Sequence, residues 1–346
     1  MEHQNLSLVW KSFIEAARVG TGRHGSRNHK VQASRTALNL SDQLVTNNYN
    51  TGDLYKTWLE NIKKVTAFLE ADLVMIKRTV RDHFSILHSG DQADFSIDFT
   101  EKTGGMSVGI IADIDFCGMA SRFYIKSHQR GPRPSSISVA NRYVSMKPPF
   151  IQEMFNYELS ALLKLGGEVH YILPQHSSNK KAMYIATKSV EFTLAKDLTR
   201  ATTNYEAMFK IFFLEYILSL EDVLTNSGNY GQKSQGQPAV IDFWFNDRDN
   251  HLFTDEQVSN FWNDSVRSHS RFISEGVRNI QRERKKQIIR SSVEEWNLFE
   301  IINEAKITVE QFISKNNEKL EVSGDLDGYV AFLSCRMTSS LVDEAG

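Results

Sequence analysis

The chain has 346 residues, 41% of them hydrophobic and 24% charged, with a formal net charge of −2 and two cysteines, Cys117 and Cys335. This length accommodates two domains or one bilobal domain with an extension, and the near-neutral charge excludes a global pull toward nucleic acid or an anionic membrane. Two cysteines are too few for a disulfide framework or a thiolate metal site, so a reducing, intracellular and most simply cytoplasmic setting is expected.

The first residues, MEHQNLSLVWKSF, lack the basic start and apolar core of a signal peptide. Residues 5–17 predict a short amphipathic helix, with Leu6, Val9, Trp10, Phe13 and Ile14 on one side. Residues 20–50 are rich in Gly, Ser, Asn, Arg and His and read as a polar loop, its Arg23, His24, Arg27, His29, Lys30 and Arg35 solvated. From Asp53 to His88 the apolar residues Leu54, Trp58, Ile62, Val65, Leu69, Leu73, Ile76 and Val80 recur every three or four positions, which predicts one long helix or a helical hairpin. Residues 1–90 are thus expected to form a helical extension with a polar loop at 20–50.

Alternation then replaces helical spacing. Phe95, Ile97 and Phe99 mark a half-buried strand, Glu101–Gly105 a glycine turn, Ser107–Phe116 a second strand and Arg122–Lys126 a third. Backbone N–H groups at Gly104 and Gly105 are unobstructed by a Cβ and suit a phosphate cradle. Lys126 follows Phe123-Tyr124-Ile125 at a strand end, where a lysine can reach toward a phosphate. A helix is expected over Pro149–Leu165, punctuated by Pro148-Pro149 and Gly166-Gly167, and its Glu153 or Glu158 can pair with Lys126. Met183–Ala186 is a short apolar strand leading into Thr187-Lys188-Ser189-Val190. Residues 204–220 are apolar nearly all round, with Phe209, Phe212, Phe213, Tyr216, Ile217 and Leu220, and predict a buried helix. Lys210 and Glu215 interrupt the run Met208–Leu220, which is also too short to span a bilayer.

That helix delivers Asp222. Asn226 and Asn229 follow, and Asp242 closes the apolar run Ala239-Val240-Ile241. An Asp, an Asn and a second Asp at a strand end form an oxygen-donor layout suited to Mg²⁺ and nucleotide phosphates. Downstream, Asp247–Asn250 reads as a polar turn and Thr254–Ile280 as helical. The basic run Arg282–Lys286 with Arg290 reads as a solvated helix face, Ser292–Ile313 as an amphipathic helix, and Val322–Gly346 as a loop before a short final helix.

The order of glycine turn, strand-borne Lys126, helix-borne Glu153, Asp222, Asn229 and Asp242 resembles the protein-kinase-like superfamily, including its aminoglycoside- and lipid-kinase relatives. The likeness covers about Phe95 to Leu252, and the segment from Pro148 through Ile172 with Met183–Val190 shares it. It implies an α+β bilobal fold, with a small antiparallel-sheet lobe at 91–195 and a helical lobe at 196–346. It also implies ATP and Mg²⁺ as cofactors. Lys126 would contact phosphates and Glu153 would brace it, while Gly104, Gly105, Thr187 and Val190 would line the nucleotide. Asp222 would position the acceptor hydroxyl, and Asn229 and Asp242 would ligate the metal. The pattern departs at several places: no full G-x-G-x-x-G, Leu220-Glu221 before Asp222, seven residues from Asp222 to Asn229, and Trp244 after Asp242-Phe243. Asn226 therefore stays open as the ligand, Glu221 as the base and Glu158 as the lysine partner.

The expected activity is phosphoryl transfer to a protein or small-molecule hydroxyl, with AMP transfer by the same fold a variant of it. Two rivals come from other classes. One is an inactive pseudokinase-type scaffold that binds a protein through its N- or C-terminal helices. The other is a nucleotide-sugar glycosyltransferase using Asp113-Ile114-Asp115 as a D-x-D metal motif. No serine-hydrolase elbow and no zinc motif is present.

Overall fold

Helix α3 (Gly52–Leu87) runs for 36 residues, about 54 Å at 1.5 Å per residue, and serves two separate cores. In the computed structural model, which describes residues 2–21, 27–46, 52–88, 95–101, 109–130, 147–175, 179–245 and 270–342, its Ile62 packs with Phe13 and Ala17 of α1 (Glu2–Thr21) and Ala37 and Leu44 of α2 (Arg27–Thr46). Its C-terminal half turns Ile76, Val80 and Phe84 onto the sheet residues Ile110, Ala112, Ile114, Phe123 and Ile125. The periodicity of the 53–88 segment is thus one continuous helix.

Helix α2 corrects the expected loop at 20–50. Ser34, Ala37, Ser41 and Leu44 are all buried, at spacings of three and four. Two of these four are serines, so the apolar count hid a helical stripe. Small side chains there let α2 come close to α1: a Cβ on Gly20 would collide with the Ser34 side chain. Arg35 is exposed, while the side chains of Arg23, His24, Arg27, His29 and Lys30 lie outside the described residues.

A five-stranded sheet follows in the order β1-β2-β3-β5-β4. Strands β1 (Phe95–Glu101), β2 (Gly109–Phe116) and β3 (Met119–Ser127) are antiparallel neighbours; β4 is Val169–Ile172 and β5 Tyr184–Lys188. Cys117, at φ 52, turns the chain from β2 into β3. It and Cys335 are free and exposed.

The chain divides into two compact units, Met1–Pro148 with His170–Ala186, and Pro149–Val169 with Thr187–Gly346. In the second, α5 (Tyr205–Leu218) is the central helix, packed by α6 (Arg271–Arg278), α7 (Arg282–Glu295) and α9 (Leu326–Val342). Helix α4 (Ile151–Leu162) packs on α8 (Leu298–Lys315) and α9. The expected helix over 292–313 is broken at Asn297, whose φ of 45 separates α7 from α8. The final helix is 17 residues long, not short, because Leu326, Tyr329, Leu333 and Met337 bury one face. Of the basic run, Arg282, Arg284 and Arg290 are exposed as expected, but Lys285 is buried with its ammonium 5.8 Å from the Phe209 ring. The 247–250 turn and the 254–269 segment lie outside the described residues. Among those described, no helix is long and apolar enough to cross a membrane.

In the first unit, His83 of α3 sits among Phe84 and His170, its Nε2 3.5 Å from His170 Nδ1. Burial, then the His170 and His88 charges, lower its pKa from 6.5 to about 4. The native state therefore keeps His83 neutral where the unfolded chain is protonated. Its contribution to stability is full above pH 6.5 and is lost as pH falls toward 4, by at most about 3 kcal/mol. His83→Gln should flatten that loss: urea midpoints at neutral pH and near pH 4.5 should diverge less in the variant than in the wild type. Equal divergence in both would show that His83 is not a source of acid sensitivity.

Candidate functional site

The site is built on the end of α5. Asn204 caps its start, its Oδ1 accepting from the N–H groups of Glu206 and Ala207 at 3.1 Å each. Ala207, Met208, Phe209, Ile211, Phe212, Phe213, Leu214, Ile217 and Leu218 are buried, leaving Glu206 and Lys210 as an ion-paired polar edge, and the hydrogen bonds at its last carbonyls are buried or part-buried. Such carbonyls need donors. Arg336 of α9, only 4% exposed, places Nη1 2.7 Å from the Tyr216 carbonyl, 3.0 Å from that of Ile217 and 2.7 Å from Ser219 Oγ. The Tyr329 hydroxyl lies 2.7 Å from the Leu218 carbonyl. A buried guanidinium at a helix C-terminus also meets the negative end of the helix dipole.

Beyond this cap the chain reverses. Ser219 is left-handed at φ 48, Leu220–Glu221 forms β7, and Asp222 is left-handed at φ 63. Strand β7 pairs antiparallel with β10 (Trp244–Phe245), Glu221 opposite Trp244 and Leu220 opposite Phe245. A second ladder holds the next part: β8 (Tyr230–Gln232) lies between β6 (Thr193–Leu194) and β9 (Pro238–Val240), with Tyr230 opposite Val240. The Ile241 N–H then donates to the Asn229 carbonyl at 2.9 Å. Asp242 therefore enters one residue beyond a peptide tied to Asn229.

Asn229 is the hub. It is 8% exposed, and its Nδ2 donates to the Asp222 carbonyl at 2.7 Å and lies 3.2 Å from Asp222 Oδ2. With the amide nitrogen engaged on Asp222, the amide oxygen is directed away from it and is the end that can ligate. Asn226 is exposed, and its Oδ1 accepts from the Gly228 N–H at 3.1 Å, closing a local turn. Between the two asparagines left open by the sequence, Asn229 is the one joined to Asp222. Asp242 is half-buried, with its Oδ1 3.3 Å from the Tyr157 hydroxyl. Glu221, the other candidate base, is exposed in β7.

The remaining predicted residues are placed as follows. Lys126, near the end of β3, is 9% exposed; it belongs to the first unit. Glu153, in the first turn of α4, is 0% exposed, whereas Glu158 is half-buried; both belong to the second unit. A fully buried carboxylate needs an internal partner, which makes Glu153 the more constrained of the two. The Lys126–Glu153 pair stays an expectation of the sequence. Thr187 and Val190 are half-buried, and between them the Lys188 N–H already donates to the Glu168 carbonyl at 2.8 Å, so one backbone donor of that connector is engaged. Gly104 and Gly105 lie outside the described residues. Asp113 and Asp115 are held within the β2–β3 hairpin: Asp113 takes a two-pronged contact from Arg122 at 2.7 and 3.1 Å, and Asp115 Oδ1 accepts from the Gly118 N–H at 2.8 Å. Their carboxylates have structural work there, which weakens the D-x-D reading.

Sequence reasoning treated Glu215 only as an interruption of an apolar run. In the fold it lies in the last turn of α5, next to the Asp222 reversal, with Oε2 buried and no hydrogen-bond partner. Burial, then the Asp222 and Glu221 charges, raise its pKa from 4.5 to about 8 against a hydrogen bond from Leu224 that lowers it. Among the described residues no three His, Cys, Asp or Glu side chains converge as a metal cage; the metal ligands expected from the sequence are one carboxylate, Asp242, and one amide, Asn229. No protein-family profile, characterised protein or solved structure matches the chain.

Because the folded pKa of Glu215 is above its unfolded value, the native state favours the proton. The contribution of this group is fully present below pH 4.5 and is lost as pH rises toward 8. Glu215→Gln keeps the shape and the acceptor for Leu224 but carries no charge at any pH. Relative to wild type, the variant should gain on the order of 2–4 kcal/mol between about pH 5 and pH 8.5 in chemical denaturation. A difference that does not change with pH would contradict this environment for Glu215.

Proposed function

We propose that the chain is an ATP- and Mg²⁺-dependent phosphotransferase of protein-kinase-like fold, acting on a hydroxyl of a protein or small molecule. The observation that carries this is Asn229: its side-chain amide is hydrogen-bonded to both the carbonyl and the carboxylate of Asp222, while its main-chain carbonyl accepts from the Ile241 N–H, next to Asp242. The acceptor-side acid is thereby tied to Asn229, and Asp242 follows directly on the peptide that is tied to it. Transfer of a phosphoryl group asks a protein mainly for positioning and for opposing charge; these residues would supply the positioning and the ligands for the cation that carries the charge.

Each residue has a role derived from its chemistry. Asp222, half-buried on a left-handed turn, orients the acceptor hydroxyl and accepts its proton. The Asn229 amide oxygen and the Asp242 carboxylate are hard oxygen donors of the kind Mg²⁺ takes, and would hold it together with waters and phosphate oxygens. When bound, Mg²⁺ would neutralise charge on the transferring phosphoryl group. The resemblance assigns the nucleotide phosphates to Lys126 and the bracing of that lysine to Glu153.

Thermal unfolding in the presence of ATP with and without Mg²⁺ tests this. At 100-fold excess over Kd, ligand binding should stabilise the wild type by about 2.7 kcal/mol, a rise of roughly 5–10 °C for domains of this size. The rise should need Mg²⁺ and should disappear in Asp242→Ala. A folded wild type that shows no shift at millimolar ATP with Mg²⁺ would sink the enzyme proposal and leave an interaction scaffold.

A further inference from the structure

We infer that Tyr157 is a positioning residue for the Asp242 carboxylate, an inference that rests on the metal role proposed above for Asp242. Tyr157 lies in the middle of α4 and is 2% exposed. At that depth a ring alone would fill the space, whereas a buried hydroxyl must find a polar partner. It finds one in Asp242 Oδ1 at 3.3 Å. Its ring also stacks on Phe243, the residue after Asp242, with centroids 4.3 Å apart and planes 24° from parallel.

The backbone around Asp242 is already held on both sides. Ile241 donates to Asn229, and Trp244 is laddered to Glu221. The freedom that remains is rotation of the Asp242 side chain, and the Tyr157 hydroxyl restrains it. A carboxylate has about four acceptor positions, so one hydrogen bond on Oδ1 orients its plane without exhausting its capacity to ligate. Phe243, 1% exposed, fixes the distance at which the two groups meet. The arrangement is that of an outer group aiming a metal ligand, whose removal usually weakens metal binding by about 10- to 100-fold.

The test is a Mn²⁺ titration of the full chain in saturating ATP, followed by thermal shift and by the loss of free-Mn²⁺ electron paramagnetic resonance signal. Tyr157→Phe keeps the stacked ring and removes the hydroxyl; Phe243→Leu keeps the hydroxyl and removes the stack. Tyr157→Phe should raise the Mn²⁺ concentration at half-saturation about tenfold, with a small drop in the unliganded melting point from the lost hydrogen bond and an unchanged affinity for metal-free ATP. Phe243→Leu should lower the melting point and leave the Mn²⁺ half-point near wild type. If wild type and Tyr157→Phe share one half-point, the positioning role is overturned while the metal site stands. If Phe243→Leu moves the half-point as far as Tyr157→Phe, packing and not the hydroxyl is responsible, and the inference also fails. A wild type that takes up no Mn²⁺ removes the metal site itself, and this inference with it.

Discussion

The buried C-terminus of α5 is the constraint on which the second unit depends. A helix buried over most of its circumference places its final carbonyls in or near the core, and unpaired carbonyls there are destabilising by a few kcal/mol each. Arg336 and Tyr329, about two turns apart on α9, meet those carbonyls at 2.7–3.0 Å. The guanidinium in turn rests 4.0 Å from the centre of the Phe332 ring, an aromatic contact that favours a desolvated cation. The last helix of the chain is thus needed to finish a helix that starts more than a hundred residues earlier.

That closure also explains two left-handed residues. Ser219 and Asp222 adopt positive φ without being glycine, a conformation with an energetic penalty of order 1 kcal/mol or more that persists when the surroundings determine it. Arg336 fixes Ser219 through its Oγ, and Asn229 fixes Asp222 through its carbonyl. Between them Glu221 is laddered to Trp244. The turn is consequently rigid, half-buried and acidic, with Glu215 close enough to feel the charge of Asp222. A rigid acidic turn that gathers oxygen donors is the feature on which the proposed phosphoryl chemistry is built.

Legibility followed the strength of the local pattern. The long helix α3 has a period of 3.6, β1 alternates, and α5 is mostly apolar over 14 residues, and the sequence reads these elements close to where they fold. Asp222, Asn226, Asn229 and Asp242 are legible as residue types at a spacing, but that Asn229 and not Asn226 is hydrogen-bonded to Asp222 is visible only in the fold. Helix α2 was missed because half of its buried stripe is serine, which a hydrophobic count scores as surface. Tyr157 carries no local signal, since nothing nearby in the sequence says that its hydroxyl meets a residue 85 positions away. Glu215 and Arg336 are likewise defined only by long-range packing: a charged residue in an apolar run has no sequence signal that tells a buried neutral carboxyl or a helix cap from a solvated side chain.

The most direct measurement is a crystal structure of the protein grown with a non-hydrolysable ATP analogue and Mn²⁺, examined at the manganese absorption edge. An anomalous peak about 2.1–2.3 Å from an Asp242 carboxylate oxygen and the Asn229 amide oxygen, bridging to nucleotide phosphates, is the expected result, by analogy with the octahedral oxygen shell of Mg²⁺. Nucleotide bound with manganese on other residues, or no manganese beside Asp242 in crystals that hold the nucleotide, would contradict the account.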